Sequence, residues 1–276
     1  MKVYMSVDLE GITGVVGSKQ VMKNPGALPE VRELVTGDVN AAIEGAKEAG
    51  ADTIWVNENH SGYELLFEKI DPIAEVLLGN PKPLQTIDGI DSSFDCVFMI
   101  GLHAQGGTES AVLDHTWKPK ITTSLHVNGI KIGELGLNAL VAGHFDVPVV
   151  LITGDDAAAR ESKALLGDVE CAVVKYGIDR YSARCLHPSI TREIIKKAAS
   201  RAIQEIKRFK PFKLQPPYEI EIEYANSAFA TRATWIPGAK RTGPFTVSFI
   251  APDFIVGVKT FFAAATLPNT IMDPMF

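Results

Sequence analysis

The chain has 276 residues and a formal net charge of −6, with 46% hydrophobic and 22% charged residues. These values are typical of a globular protein that is long enough to bury one large core or two modest ones. The acidic balance provides no basic surface, so binding to nucleic acid and attraction to an anionic membrane are disfavoured.

Strands and helices alternate in the first two-thirds of the chain. Residues 2–7 form an apolar run of β-forming residues, a loop with glycine and proline covers residues 11–29, and residues 30–49 have helical spacing. Further strands are predicted at residues 53–56, 96–100 and 147–153. This alternation predicts an α/β fold with a mostly parallel sheet and helices on both of its faces.

A hairpin is predicted in the middle of the chain. Asn128 and Gly129 lie between two β-rich stretches, residues 122–127 and 130–132, and this dipeptide is a strong turn signal. The sequence leaves open whether the hairpin packs with the first or with the last part of the chain.

The last third has a different pattern. Residues 189–209 predict an amphipathic helix, and residues 220–224 and 245–250 alternate like strands with one exposed face. We therefore expect an α/β catalytic domain over residues 1–185 and a smaller α+β domain over residues 186–276.

Targeting and redox signals favour the cytoplasm. No apolar run approaches the roughly 18 residues that span a bilayer. Asp8 and Glu10 interrupt the apolar start of the chain too early for a signal peptide. The three cysteines form no CxxC pair, which is typical of buried thiols in a reducing compartment. We expect a cytoplasmic protein that does not bind a membrane.

Potential metal ligands follow three of the predicted strands. Asp8 and Glu10 come after the first strand, His60 after the second and His103 after the third. The carboxyl ends of parallel strands share one edge of the sheet, and ligands bind at that edge in open α/β folds. Carboxylates and neutral imidazoles together suit zinc, although each residue taken alone has an ordinary explanation as a turn former or a surface histidine.

Further polar candidates lie in the middle of the chain. His115 is either a site residue or simply exposed, and Asp114 either orients it or is a solvated loop acid. Glu134 begins a predicted helix, where the helix dipole also favours an acid. Asp155 and Asp156 end the fourth strand, where they either hold an imidazole or cap the next helix.

Several common motifs are absent from the sequence. It has no GxGxxG or GxxxxGK phosphate loop, no HExxH zinc helix and no GxSxG nucleophile turn. Gly11, Gly14 and Gly17 match no phosphate loop, so we interpret them as flexible-loop glycines.

Six segments closely resemble the DppA-type zinc-dependent D-aminopeptidases, which are linked to bacterial dipeptide-transport operons. The segments are residues 2–11, 56–61, 101–104, 133–139, 146–149 and 154–156, and a histidine at the position of His115 is shared as well. Three neighbours of the site depart from the family: Glu58 and Asn59 stand where it has Asp and Ser, and Asp114 stands where it has Ser.

The resemblance implies a two-zinc enzyme that removes N-terminal residues, of D configuration, from short peptides with a free N-terminus. It implies five metal ligands, with Asp8 bridging the ions, Glu10 and His60 on one zinc, and His103 and Glu134 on the other. His115 would be the catalytic histidine, acting as nucleophile or as acid and base. The resemblance also implies a homo-oligomer, a decameric ring with an internal channel.

Two other functions stay open at this point. One is a different metal-dependent amidase or phosphoesterase that uses the same edge of the sheet. The other is a non-catalytic assembly protein that retained the fold, although such a role needs no cluster of acidic and imidazole side chains.

Overall fold

The computed structural model of the chain describes residues 1–21 and 29–270. These residues contain the strands β1 (Lys2–Val7), β2 (Thr53–Glu58), β3 (Ala74–Leu77), β4 (Cys96–Leu102), β5 (Thr122–Val127), β6 (Ile130–Ile132), β7 (Val149–Asp155), β8 (Glu170–Asp179), β9 (Ser182–Cys185), β10 (Tyr218–Tyr224), β11 (Lys240–Arg241) and β12 (Thr246–Ala251). They also contain the α-helices α1 (Ser18–Val21), α2 (Pro29–Glu48), α3 (Glu134–His144), α4 (Asp156–Leu166), α5 (Pro188–Gln204), α6 (Ser227–Ala233) and α7 (Phe254–Thr266).

Short 3₁₀ helices occur at Phe67–Lys69, Gln85–Ile87, Ile206–Arg208 and Leu267–Thr270. Part of the loop predicted over residues 11–29 lies outside the described residues, namely residues 22–28. None of the described helices combines the length and the apolar character that a bilayer crossing needs.

The first sheet has the strand order β3-β2-β1-β4-β7-β8-β9. Its neighbouring strands are parallel, except that β9 runs antiparallel to β8. The chain leaves β1 toward β2 and β3, and returns to the other side of β1 with β4. The carboxyl ends of β1 and β4 therefore flank the point at which the strand order reverses, which is the usual ligand site in such sheets.

Helices cover both faces of the first sheet. On one face, α2 and α5 pack against each other, and α2 buries an apolar stripe that includes Val31, Val35 and Val39. This stripe follows from the four-residue spacing of its valines, which places them along one side of a helix. On the other face, α3 packs in an apolar cluster with Tyr4 and Met99. The predicted α/β class with a mostly parallel sheet is confirmed.

The second sheet is antiparallel and has the order β11-β12-β10-β5-β6. On β10, Ile220, Ile222 and Tyr224 are buried and alternate with glutamates, as the sequence predicted for a strand with one exposed face. The predicted hairpin at Asn128 and Gly129 joins β5 to β6 and belongs to this second sheet. The smaller α+β part of the predicted fold is confirmed.

The two sheets are not formed by two successive parts of the chain. Helix α5 packs on α2 beside the first sheet, whereas β5 and β6 precede it in sequence and lie in the second sheet. One apolar cluster runs from the first sheet through α3 to β10 and α7. The division into domains at residues 1–185 and 186–276 stays a prediction.

Candidate metal centre

The loop after β1 is bound to the end of β4, and this contact brings Asp8 close to His103. The backbone N–H of Asp8 donates to the Ile100 carbonyl at 2.8 Å, and that of Gly11 donates to the Gly101 carbonyl at 2.7 Å. A Cβ atom on Gly11 would collide with the backbone of residues 101 and 102. Our interpretation of Gly11 as a flexible-loop glycine is therefore wrong, since close backbone approach requires a glycine there.

The structure brings all six predicted site residues together at the carboxyl edge of the first sheet. Short nitrogen-to-oxygen distances join them: His60 Nε2 to Glu10 Oε1 at 3.4 Å, His103 Nε2 to Asp8 Oδ2 at 3.5 Å, His103 Nε2 to Glu134 Oε1 at 3.3 Å, and His115 Nε2 to Glu134 Oε1 at 3.6 Å. Within the part of the chain that the structure describes, two triplets place their ligand atoms within 4.8 Å of one another: His103, His115 and Glu134, and Asp8, Glu10 and His103.

The three imidazoles of the site share one orientation, in which Nδ1 is held from outside and Nε2 faces inward. The acceptors at Nδ1 are Glu64 Oε1 for His60 at 3.2 Å, the Ala104 carbonyl for His103 at 2.9 Å, and the Leu113 carbonyl for His115 at 2.8 Å. A carbonyl oxygen can only accept, so Nδ1 of His103 and of His115 carries the proton. Their Nε2 lone pairs are thereby free for a cation or a proton.

Glu64 holds His60 and was not predicted from the sequence. Its carboxylate also accepts hydrogen bonds from the backbone N–H groups of Ser61 at 3.3 Å and Tyr63 at 3.2 Å. An acid four residues after a loop histidine matches no motif, so only the folded loop reveals this contact. Burial, and then the neighbouring Glu64, raise the pKa of Glu58 to about 8, so this second acid is protonated at neutral pH.

The pKa values of the site reflect carboxylates and imidazoles that are buried close together. Burial, and then the charge of Glu10, raise the pKa of Asp8 well above its ordinary value. Burial opposes ionisation of Glu10 too, but His60 outweighs it and holds the pKa of Glu10 well below its usual range. Burial lowers the pKa of His103, yet Glu134 outweighs that effect and raises it well above the ordinary value. A bound cation would favour the ionised form of the carboxylates and the neutral form of the imidazoles.

The residues present fit a metal centre. Among the described residues, Glu10 Oε2 and His103 Nε2 are buried atoms without a hydrogen-bond partner. Buried polar atoms are rarely left unpaired, so these two call for an explanation. A set of three carboxylates and two imidazoles is a mixed oxygen and nitrogen donor set of the kind that zinc accepts.

Asp114 differs from expectation, whereas Asp155 has one of its expected roles. Asp114 is neither solvated nor hydrogen-bonded to His115 in the structure. It is buried, its Oδ2 accepts from the Gly107 N–H at 2.6 Å, and its Oδ1 accepts from Arg180 Nη1 at 2.7 Å. Asp155 accepts from the backbone N–H of Ala158 at 2.8 Å and so caps α4, which is one of the two roles considered for it.

A buried cation lies behind the loop that follows β1. Lys175, in the apolar strand β8, donates from Nζ to the carbonyls of Glu10 at 2.6 Å, of Ile12 at 2.9 Å, and of Val15. These three bonds use all three ammonium protons. Lys175 was not predicted from the sequence, although a lysine directly after the apolar run at residues 171–174 is a signal for a buried cation.

Comparison with known proteins extends the likeness over the whole chain. A sequence profile of the peptidase family described as D-aminopeptidase matches residues 1–263. The D-aminopeptidase of Bacillus subtilis (strain 168) is 36% identical over 259 residues, which are 92% of this chain and 93% of that protein. A solved structure, the Zn-dependent D-aminopeptidase DppA from Bacillus subtilis, a self-compartmentalizing protease, superposes with a TM-score of 0.95 at 33% identity. That superposition covers 99% of this chain and 100% of the other.

Proposed function

This chain belongs to the D-aminopeptidase family, and from that premise we propose that it is a two-zinc aminopeptidase that releases N-terminal D-amino acids from short peptides. The observation that carries the proposal is the convergence of three buried carboxylates and three imidazoles at one edge of the first sheet. A purely structural role would not explain this cluster, because the burial of so many ionisable groups lowers stability.

In this proposal, five side chains hold the two ions. Glu10 and His60 would hold one ion, His103 and Glu134 would hold the other, and Asp8 would contribute to both. The distances of 3.4 Å between His60 and Glu10 and of 3.3 Å between His103 and Glu134 support this division. When bound, a pair of zinc ions polarises a substrate carbonyl and lowers the pKa of water toward neutrality.

His115 is the proton carrier in this proposal. Its Nδ1 donates to the Leu113 carbonyl, so its Nε2 faces the site with a lone pair. Burial, and then the neighbouring His103, lower the pKa of His115 below its ordinary value, which keeps the ring neutral at neutral pH. A neutral imidazole at this place can take a proton from an attacking water and return it to the leaving amine.

The substrate class follows from the position of the site and from the family. The free amine of a peptide N-terminus would be able to bind one of the two ions, whereas a blocked amine would not. The relatives are D-aminopeptidases, so D configuration at the N-terminal residue is part of the proposal.

We also propose a closed homo-oligomer, in line with the self-compartmentalizing assembly of the solved relative. The decamer expected from the sequence is the specific form of this proposal, and sedimentation of the purified protein tests it. The cytoplasmic location stays a prediction.

The activity is tested with protein purified without chelator. We expect two zinc ions per chain by elemental analysis, and release of the N-terminal residue from D-alanyl dipeptides but not from L-alanyl or N-acetylated ones. Cleavage of blocked peptides or of phosphoesters instead would favour the amidase or phosphoesterase alternative. Protein that purifies without zinc and cleaves none of these substrates would favour the non-catalytic alternative.

The ligand assignment has its own test. Asp8→Ala should lose both zinc ions, because the proposal makes this carboxylate common to the two sites. A purified variant that retains two ions per chain would contradict the bridging role of Asp8, whereas the peptide assay tests the activity separately.

A further inference from the structure

We propose that Arg180, in the turn between β8 and β9, is a positioning residue that holds His115 in place through Asp114. The inference rests on the proposed function, because it makes the placement of His115 matter for turnover. The guanidinium Nη1 of Arg180 donates to Asp114 Oδ1 at 2.7 Å. The Asp114 side chain is only 7% exposed, whereas that of Arg180 is 36% exposed, so the arginine reaches inward from the surface.

Asp114 connects three segments of the chain. Its first oxygen accepts from Arg180, and its second accepts from the backbone N–H of Gly107 at 2.6 Å, in the loop that leaves His103. Charge-assisted hydrogen bonds of this kind are short and stronger than neutral ones. The residue next to His115 is thereby tied both to the β8–β9 turn and to the loop that follows β4.

The loop around His115 needs such ties because its backbone is strained. Leu113 and Trp117 both have positive φ angles, 52° and 63°, which residues other than glycine rarely adopt. The N–H of Leu113 donates to the Arg180 carbonyl at 2.8 Å, and the N–H of Trp117 donates to Glu134 Oε1 at 2.9 Å. Arg180 therefore holds this loop twice, with its backbone at Leu113 and with its side chain at Asp114.

The β8–β9 hairpin is seated against the same loop. A Cβ atom on Gly177 would collide with the Ser110 carbonyl, so β8 and the segment before His115 are in close contact. The Gly177 N–H donates to Asp156 Oδ1 at 2.8 Å, which fixes β8 to the start of α4. The turn that carries Arg180 is therefore a fixed support, and the guanidinium reaches from it to Asp114.

We call the contact between Arg180 and Asp114 the clamp. The clamp affects the proposed reaction through the orientation of the His115 ring. The Leu113 carbonyl accepts from His115 Nδ1, so a shift of residues 113 and 114 would rotate the imidazole and move its Nε2. Without Arg180, the buried Asp114 keeps its bond to Gly107 but loses its charged partner. The proposed metal ligands lie on other segments, so metal content should not depend on Arg180.

The experiment compares four purified proteins in the D-alanyl dipeptide assay: wild type, Arg180→Ala, Arg180→Lys and the control Arg184→Ala. Arg184 lies in the same hairpin, where its guanidinium stacks over the Tyr176 ring at 4.1 Å. We expect Arg180→Ala to lower kcat by about 10- to 100-fold with little change in KM and with wild-type zinc content. Arg180→Lys should restore part of kcat, and Arg184→Ala should match wild type.

A double-mutant cycle shows whether Arg180 acts through His115. In the His115→Ala background, adding Arg180→Ala should change the residual rate by less than about 2-fold, because a residue that acts through another adds nothing once that other is gone. Full additivity of the two losses would overturn the proposal, and so would loss of zinc from Arg180→Ala.

Hydrogen exchange gives a readout that does not depend on activity. Peptides that cover residues 108–118 should exchange faster in Arg180→Ala than in wild type and in Arg184→Ala, because the clamp protects that loop. Unchanged protection would overturn the proposal. An inactive wild type would count against the proposed function alone, and the exchange measurement would still decide the role of Arg180.

Discussion

The imidazole rings of His103 and His115 stack face to face, with their centroids 3.9 Å apart and their planes inclined by 14°. Both rings present Nε2 to Glu134, at 3.3 Å and 3.6 Å respectively. Two stacked rings this close repel each other when both are cationic, so uptake of a second proton by one ring disfavours it on the other. Burial and this repulsion lower the pKa of His115, whereas the carboxylates raise that of His103. His103 is thus suited to hold a cation, and His115 is suited to carry a proton.

We therefore expect His115→Ala to keep its zinc and to lose about 10²- to 10⁴-fold in kcat, the usual contribution of a positioned acid and base. Elemental analysis and steady-state assay of the same preparation provide the two measurements. Wild-type turnover in the variant would refute the role of His115. Loss of metal would instead place His115 among the ligands, as its membership in one of the two ligand triplets allows.

Glu64→Gln should weaken zinc binding by about 10- to 100-fold, because a carboxylate that accepts from the far nitrogen of a ligating histidine orients the ring and raises its basicity. Competition against a chromogenic chelator measures the affinity. The matched control is Glu68→Gln, which removes an exposed acid from the 3₁₀ helix that follows this loop. Equal affinities in the two variants would contradict this role for Glu64.

Lys175→Met should lower the free energy of unfolding by at least about 3 kcal/mol, because three buried carbonyls lose their donor and each unmet acceptor costs about 1–3 kcal/mol. Urea denaturation followed by circular dichroism measures the change. Lys163→Met serves as the control, since this lysine is exposed on α4 and its loss should stay within about 0.5 kcal/mol. A Lys175 variant as stable as that control would show that the carbonyls find other partners.

Asp38 should make the metal-free protein less stable as pH rises through the mildly acidic range. Burial raises the pKa of this acid from 3.8 to about 6, against two opposing hydrogen bonds from Thr13. The folded state thus keeps a proton that the unfolded state has already released, so the group's stabilisation is full below pH 3.8 and is lost as pH rises to about 6. Relative to Asp38→Asn, wild type should lose up to about 3 kcal/mol across this window.

Urea denaturation of wild type and Asp38→Asn at intervals across that pH range, with chelator present, tests this prediction. A stability difference that stays constant with pH would contradict it, and so would a difference that changes in the opposite direction.

Much of the fold could be predicted because local patterns decide it. The helical spacing at residues 30–49 became α2, with bounds Pro29–Glu48, and the Asn128-Gly129 turn became the connection of β5 and β6. The helix predicted over residues 189–209 is shorter, because α5 ends at Gln204 and a 3₁₀ turn follows. The short edge strands β3 and β9 were not predicted, since four-residue runs carry too little periodicity to distinguish a strand from a loop.

The contacts that support the site could not be predicted in the same way. Glu64, Lys175 and Arg180 come from a loop, a strand and a turn, and their partners are backbone carbonyls or side chains as far as 165 residues away in sequence. Asp114 was expected to be either a solvated acid or an orienting partner of His115. The structure instead buries it between Gly107 and Arg180, which no local pattern indicates.

The class of the fold and four residues at the carboxyl edge of the sheet, Asp8, Glu10, His60 and His103, could be predicted because strand ends and ligand-forming side chains are both visible in the order of residues. Glu134 and His115 were expected in the site only because of the resemblance to the D-aminopeptidases. The inward-facing nitrogen of each imidazole and the groups that hold the loop of His115 are visible only in the folded protein. The acceptors at Nδ1 are close in sequence, at Glu64, Ala104 and Leu113, but they act only once their loops are folded. The loop of His115 is held by Arg180, which is distant in sequence and is brought beside it by the packed sheet.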